Sequence, residues 1–176
     1  RMMIDQKLKM KWKCEARADH LDDEICELMA EAGCERVKIG FESGSDRILK
    51  QIEKLETRKE MLTGADMLKR AGVPFSGYFM VGFPGETDDD VKETIDFAKR
   101  IDADYYSLSV LAPYYGTELY NQLIKNGHAL DKQPWEYFFH QSPKPMVNDK
   151  ISQEVLKEYL SLADLNKQDK KRRGYI

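Results

Sequence analysis

A unit of strand, Gly-containing turn and helix recurs four times along this 176-residue chain, and that recurrence limits the fold more than any other feature. Residues 10–17 alternate apolar and polar side chains, as a strand with one buried face does. Asp19 is the expected cap of a helix over 20–32, with Leu21, Ile25, Leu28 and Met29 at helical spacing and Gly33 at its end. Strand 36–41, turn 42–45 and a short helix opened by Ser45 and Asp46 follow. Thr57 and Glu60 then have the spacing of a capping box for a helix to Arg70, which Gly72 stops. The third unit is strand 73–81, turn 82–87 and a helix to Arg100 capped by Thr87 with Asp90. The fourth is strand 104–111, turn 113–117 and a short helix over 118–125. Residues 126–148 contain Pro134, Pro143 and Pro145 and read as an irregular loop, with Trp135, Tyr137 and Phe138 as aromatic anchors on the core. Ser152 caps a last amphipathic helix with Val155, Leu156, Tyr159, Leu160 and Leu165, which fades into the basic stretch 167–173.

Strands alternating with helices imply right-handed crossovers, a parallel sheet and the α/β class. The ligand face of such a sheet lies at the carboxyl ends of its strands. A closed barrel takes about eight units in ~250 residues, so four units make either a small open sheet or a piece of a longer barrel. The piece is the expectation, because the sequence opens almost directly on a strand. Residues 1–125 would be the sheet portion, with 126–176 a loop and helix packing on it.

Composition removes several classes. With 28 Lys+Arg against 31 Asp+Glu the formal charge is −3, too balanced for a general nucleic-acid binder. No apolar run approaches the roughly 18 residues of a membrane span, and the first residues lack a secretory signal; a cytoplasmic protein is expected. Cys14, Cys26 and Cys34 stand 12 and 8 residues apart, which fits no disulfide framework and no compact metal motif; buried, inert thiols are expected. His20, His128 and His140 share no metal-like spacing.

Four groups can carry chemistry. The turn from Gly40 through Glu42, Ser43 and Gly44 to Ser45 lets backbone approach a ligand and puts a carboxylate at a strand tip; it reads either as a ligand cradle or as a plain βα turn. Lys54 can fold back as a point charge or be a solvated helix-end lysine. Arg17 can fork onto a ligand carboxylate or phosphate, or form a buried salt bridge. Glu86 can bind a ligand, but support of the following helix start is the favoured reading.

The set Gly40-Phe-Glu-Ser-Gly44, Gly82-Phe-Pro-Gly-Glu-Thr87 and Pro113-Tyr-Tyr-Gly-Thr117, preceded by Trp12-Lys-Cys-Glu-Ala-Arg17-Ala-Asp19, resembles the radical S-adenosylmethionine superfamily over about residues 10–120. It is most similar to the branch whose members often carry a cobalamin domain, including anaerobic magnesium-protoporphyrin monomethyl ester cyclases. The resemblance implies a partial (β/α)6 barrel, with this chain supplying its last four strands. It also implies an enzyme that uses a [4Fe-4S] cluster, in some members with cobalamin, to cleave S-adenosylmethionine and release a 5'-deoxyadenosyl radical that takes a substrate hydrogen. The cluster's CxxxCxxC is absent here, so no metal ligands are assigned. The chain alone is expected to be inactive and to retain no cofactor.

By the same resemblance, Glu42, within Gly40–Ser43, falls where relatives contact the ribose or aminoacyl part of S-adenosylmethionine. Lys54 falls where they place a base on its carboxylate, and Met80 where an apolar residue nears the adenine. Leu111 and Ala112 match the adenine-contacting backbone of the last strand. Gly82 belongs to the same cofactor-binding set, and Arg17 faces the cofactor side. Tyr78 departs from the acidic ribose ligand of coproporphyrinogen dehydrogenases. The expected partner is a small-molecule substrate, with self-association through an exposed sheet edge. Two other readings stay open: a non-redox half-barrel using the Gly40–Ser45 turn as an anion cradle, and a tRNA-modifying methylthiotransferase relative.

Overall fold

The computed structural model describes residues 1–135, 138–139 and 145–166. The expectations placed on Tyr137, His140, Pro143 and the basic stretch 167–173 lie outside the described residues. After a one-turn helix, α1 (Met2–Asp5), the chain runs β1 (Trp12–Glu15), α2 (Asp23–Glu31), β2 (Cys34–Glu42), α3 (Asp46–Gln51), α4 (Arg58–Ala71), β3 (Phe75–Val81), α5 (Asp88–Ile101), β4 (Tyr105–Val110), α6 (Glu118–Lys125) and α7 (Gln153–Ser161). Single 3-10 turns occupy Ala18–His20 and Leu130–Lys132. The four strands form one parallel sheet in the order β1-β2-β3-β4. Sequential strands are therefore neighbours, and all four carboxyl ends share one side.

The helices form where local sequence and burial agree. In α4 the Thr57 hydroxyl accepts from the Glu60 N–H while the Glu60 carboxylate accepts from the Thr57 N–H, and Gly72 closes the helix in the left-handed region. Thr87 and Asp90 repeat the box on α5. The cap of α2 differs from the expected one. Asp22, not Asp19, accepts from the Ile25 N–H, because residues 18–20 turn as a 3-10 element and the Asp19 carboxylate is held by Arg17.

The core of this sheet is continuous from α2 to α7. Val37, Ile39, Phe41, Phe75 and Phe79 from the strands meet Met61 and Leu68 of α4, Ile95 and Phe97 of α5, and Leu156 and Tyr159 of α7 in one cluster. Phe41 stacks on Phe79 at 5.5 Å and meets Phe97 edge-on at 6.3 Å. A second cluster, with Ile48, Phe83, Leu111, Tyr120, Leu123 and Leu130, lies beyond the strand ends under α6. Phe138 packs partly against it, but Trp135 does not anchor the loop: it is 79% exposed and touches Phe138 with ring centres 5.8 Å apart.

The turn after β2 is fixed by close approach. A Cβ on Gly44 would stand 2.7 Å from the Thr94 Cα and collide with the Glu93 carbonyl, so only glycine lets this turn rest on α5.

Candidate active site

Parallel order brings the strand tips to one cavity of about 530 Å³, bounded by Arg17 after β1, Gly40 and Glu42 of β2, Met80 of β3 and Ser109 of β4. Lys54, Lys38, Glu15 and Tyr78 also reach it. Its lining is thus mixed in charge, with apolar contributions from Phe79 and Met80.

Glu42 owes its place to a local irregularity. The β2–β3 register shifts between Gly40 and Glu42, and Glu42 adopts φ 64°, a left-handed conformation unusual for a residue with a side chain. The bulge turns the carboxylate back over its own strand, into the space that a Cβ on Gly40 would occupy. Gly40 is needed here for volume, not for its φ. Burial pushes the Glu42 carboxyl upward from its usual value; Lys54 pulls it down and Glu56 pushes it up again.

Lys54 follows α3 and bends back over the sheet. Its Nζ donates to the Gly40 carbonyl at 2.8 Å and lies 2.8 Å from the Glu56 Oε2. Arg17, half-exposed, forks onto Asp19 through Nε at 3.0 Å and Nη2 at 2.7 Å. Its Nη2 also stands 4.0 Å from the buried Glu56 Oε2, and the side chain lines the cavity.

Four of the expected binding residues lie elsewhere. Ser43 is buried, its hydroxyl 3.0 Å from the Thr94 hydroxyl. The Gly44 N–H donates to that threonine and the Ser45 N–H to Ser43. These two amides are taken by the chain's own hydroxyls and are not open to an anion. Gly82, buried at φ 94°, donates its N–H to Glu86. Leu111 packs in the second cluster and Ala112 is buried beside it in sequence; neither lines the cavity.

Glu86 braces the turn that precedes it rather than the start of α5, which Thr87 and Asp90 cap. Fully buried, it accepts through Oε2 from Gly82 and Phe83 at 2.5 and 3.0 Å, while Oε1 has no partner among the described residues. Burial raises its carboxyl to about 7, against the pull of those two amides. Two residues near the cavity were given no site role by the sequence: Glu56, and Tyr159, whose hydroxyl donates to the Phe79 carbonyl at 2.9 Å and accepts from the Ser109 N–H at 3.2 Å behind the cavity. The only signal for Tyr159 was its position on the apolar stripe of the last helix.

The thiols are packed into the fold rather than grouped at the cavity. Cys26 and Cys34 are buried and Cys14 half-buried, and burial raises all three, Cys34 to about 11. Among the described residues no group of three or more Cys, His, Asp or Glu side chains could bind a metal ion. Nor is any described helix long and apolar enough to cross a membrane.

Comparison with known proteins gives this geometry a family. The family model described as the Radical SAM superfamily matches residues 2–98. An uncharacterized methyltransferase of Pyrococcus horikoshii is 33% identical over 158 residues, covering 88% of this chain and 34% of that protein. The tRNA-2-methylthio-N(6)-dimethylallyladenosine synthase of Clostridium beijerinckii is 42% identical over 71 residues, covering 39% of this chain and 15% of that enzyme. Among solved structures, the radical S-adenosylmethionine methyltransferase TsrM from Kitasatospora setae, with cobalamin and a [4Fe-4S] cluster bound, superposes with TM-score 0.57 at 18% identity over 62% of this chain and 23% of its own. This chain spans about a third of the first of these relatives. The sheet of four βα units is a portion of the partial barrel of these enzymes, and the chain belongs to the radical S-adenosylmethionine superfamily.

Proposed function

We propose that this chain supplies the adenosyl-binding part of a radical S-adenosylmethionine methyltransferase acting on a small molecule. The observation that carries this reading is one cavity at the ends of all four strands, presenting two carboxylates and three cations beside an apolar wall. S-adenosylmethionine, when bound, supplies the sulfonium chemistry of the superfamily. Its charges match the lining. Glu42 accepts from an ammonium or ribose hydroxyl, Lys54 and Arg17 attract the carboxylate, and Met80 packs on the adenine ring. The absent Gly40 side chain leaves room for Glu42.

Methyl transfer is preferred to methylthio transfer because of coverage. The methyltransferase relative aligns with 88% of this chain, against 39% for the methylthio synthase. The described residues contain no group of side chains that would ligate an iron–sulfur cluster. Anaerobic iron–sulfur reconstitution is expected to fail on residues 1–176 and to succeed on a longer protein in which a CxxxCxxC segment precedes them. A longer protein that takes up no cluster contradicts the reading.

β1 is an edge strand, four residues long, with Trp12 and Cys14 half-buried and one ladder edge unpaired within the sheet. Self-association of this chain through that edge is expected, read by light scattering as mass rising with concentration; a strict monomer at high concentration contradicts it. Three unpaired cysteines suit the reducing cytoplasm.

A further inference from the structure

Glu56 follows Lys54 by one residue, in the connection between α3 and α4, and is 3% exposed. Its Oε1 accepts from the N–H groups of Ala18 at 2.9 Å and Asp19 at 3.4 Å, just past the end of β1. Its Oε2 lies 2.8 Å from Lys54 Nζ and 4.0 Å from Arg17 Nη2. A carboxylate this buried is costly unless paired, and here its pairing serves the cavity. An ammonium has three donors. The Gly40 carbonyl accepts one of them, and Glu56 Oε2 lies 2.8 Å away as an ion-pair partner outside hydrogen-bond geometry, so donors remain for a ligand. A lysine on a flexible four-carbon stem would otherwise sample many positions.

We propose that Glu56 is the positioning residue of the cavity, fixing the Lys54 ammonium against the tip of β2 so that it meets the carboxylate of a bound zwitterionic ligand. The inference rests on the reading of the cavity as an S-adenosylmethionine site. One buried anion thereby ties the segment after β1, which carries Arg17, to the lysine after α3. Two cations of the cavity are held before any ligand arrives, which lowers the ordering cost of binding.

The test is Glu56→Gln, which keeps a carbonyl oxygen for the Ala18 N–H but turns an amide NH2 toward Lys54. The chain and the variant are titrated at millimolar ligand with S-adenosylmethionine and with 5'-methylthioadenosine, which lacks the aminoacyl carboxylate. About tenfold weaker binding of S-adenosylmethionine, with methylthioadenosine unchanged, is the expected result. Equal losses for both ligands mean a merely structural role and overturn the proposal.

A measurement without ligand decides the case independently. Lys54 acetylation by a succinimidyl ester, followed by peptide mass spectrometry, is compared with that of exposed Lys50 in the same chain. Lys54 is expected to react at least about tenfold more slowly in the parent chain, because the ion pair holds the amine in a partly buried place. The ratio narrows several-fold in Glu56→Gln. Equal rates in the parent chain, or an unchanged ratio in the folded variant, overturn the positioning role. Failure of the parent chain to bind either ligand would count against the proposed function alone.

Discussion

Replacing Lys54 by Met is expected to destabilise the chain by about 3 kcal/mol, the low end of what removing one partner of a buried ion pair costs. The cost comes from what stays behind. Glu56 would keep its bonds from Ala18 and Asp19 but lose its nearest cation, and Arg17 stands 4.0 Å away with its guanidinium already forked onto Asp19. Because Arg17 is half-exposed and can swing toward the vacancy, the full upper value is not expected. Urea denaturation measures the loss. Adding Glu56→Gln to Lys54→Met should recover most of it, since the second change removes the stranded charge; a double variant as unstable as the sum of the singles contradicts the pairing. The same Lys54 variant should lose S-adenosylmethionine binding by at least about tenfold, through loss of a charge-assisted contact.

Stability should also fall as pH rises from about 4.5 to about 7, through Glu86. The sign follows from proton binding. The folded chain holds a proton on Glu86 up to about 7, while an unfolded chain releases it near 4.5. Between those values the folded state binds more protons, so raising pH favours unfolding, and the loss levels off above about 7. The full shift corresponds to about 3 kcal/mol at 1.36 kcal/mol per unit. Its physical origin is a fully buried carboxyl whose Oε1 has no partner, with the Asp90 carboxylate nearby. Asp90 itself is opposed by burial but held well below the usual range by Arg47, Ser45 and Thr87, so it stays ionised throughout this window. Denaturation of the parent chain at pH 5 and pH 8 should show the difference, and Glu86→Gln should abolish most of it while keeping an oxygen for the Gly82 and Phe83 amides. A variant with the parent's pH slope contradicts the assignment.

What the sequence made legible was whatever short spacing encodes. The four βα units, the boxes at Thr57–Glu60 and Thr87–Asp90, the Gly72 stop and the Ser152 cap all follow from residues within a turn of one another. Element ends were harder. The first strand is four residues, not eight: its register to β2 shifts between Trp12 and Lys13 at one end, and past Ala16 the chain turns into the 3-10 segment at Ala18. In the site, Glu42, Gly40, Met80 and Arg17 share one cavity by their places at strand ends, as a parallel sheet requires, and Lys54 reaches it by folding back from beyond α3.

Long-range pairing was not legible. Ser43 looked like part of an open turn, but α5, some fifty residues on, presents Thr94 to it. Leu111 and Ala112 sit at a strand end too, yet the apolar face of α6 draws Leu111 into a separate core. Glu56 carries no motif, and its role exists only because residues 38 positions earlier turn their amides toward it.

The central claim is that one cavity at the strand ends takes an adenosyl ligand, and methionine-methyl NMR during an S-adenosylmethionine titration tests it most directly. Met80 lines the cavity, whereas Met61 of α4 is buried in the core, and Gly64 of the same helix lines a smaller groove of about 310 Å³ with Thr57 and Glu60. A saturable shift of the Met80 methyl and the Gly40 amide, with Met61 unmoved, is the predicted result. Saturable shifts at Met61 or Gly64 with Met80 unmoved would contradict it.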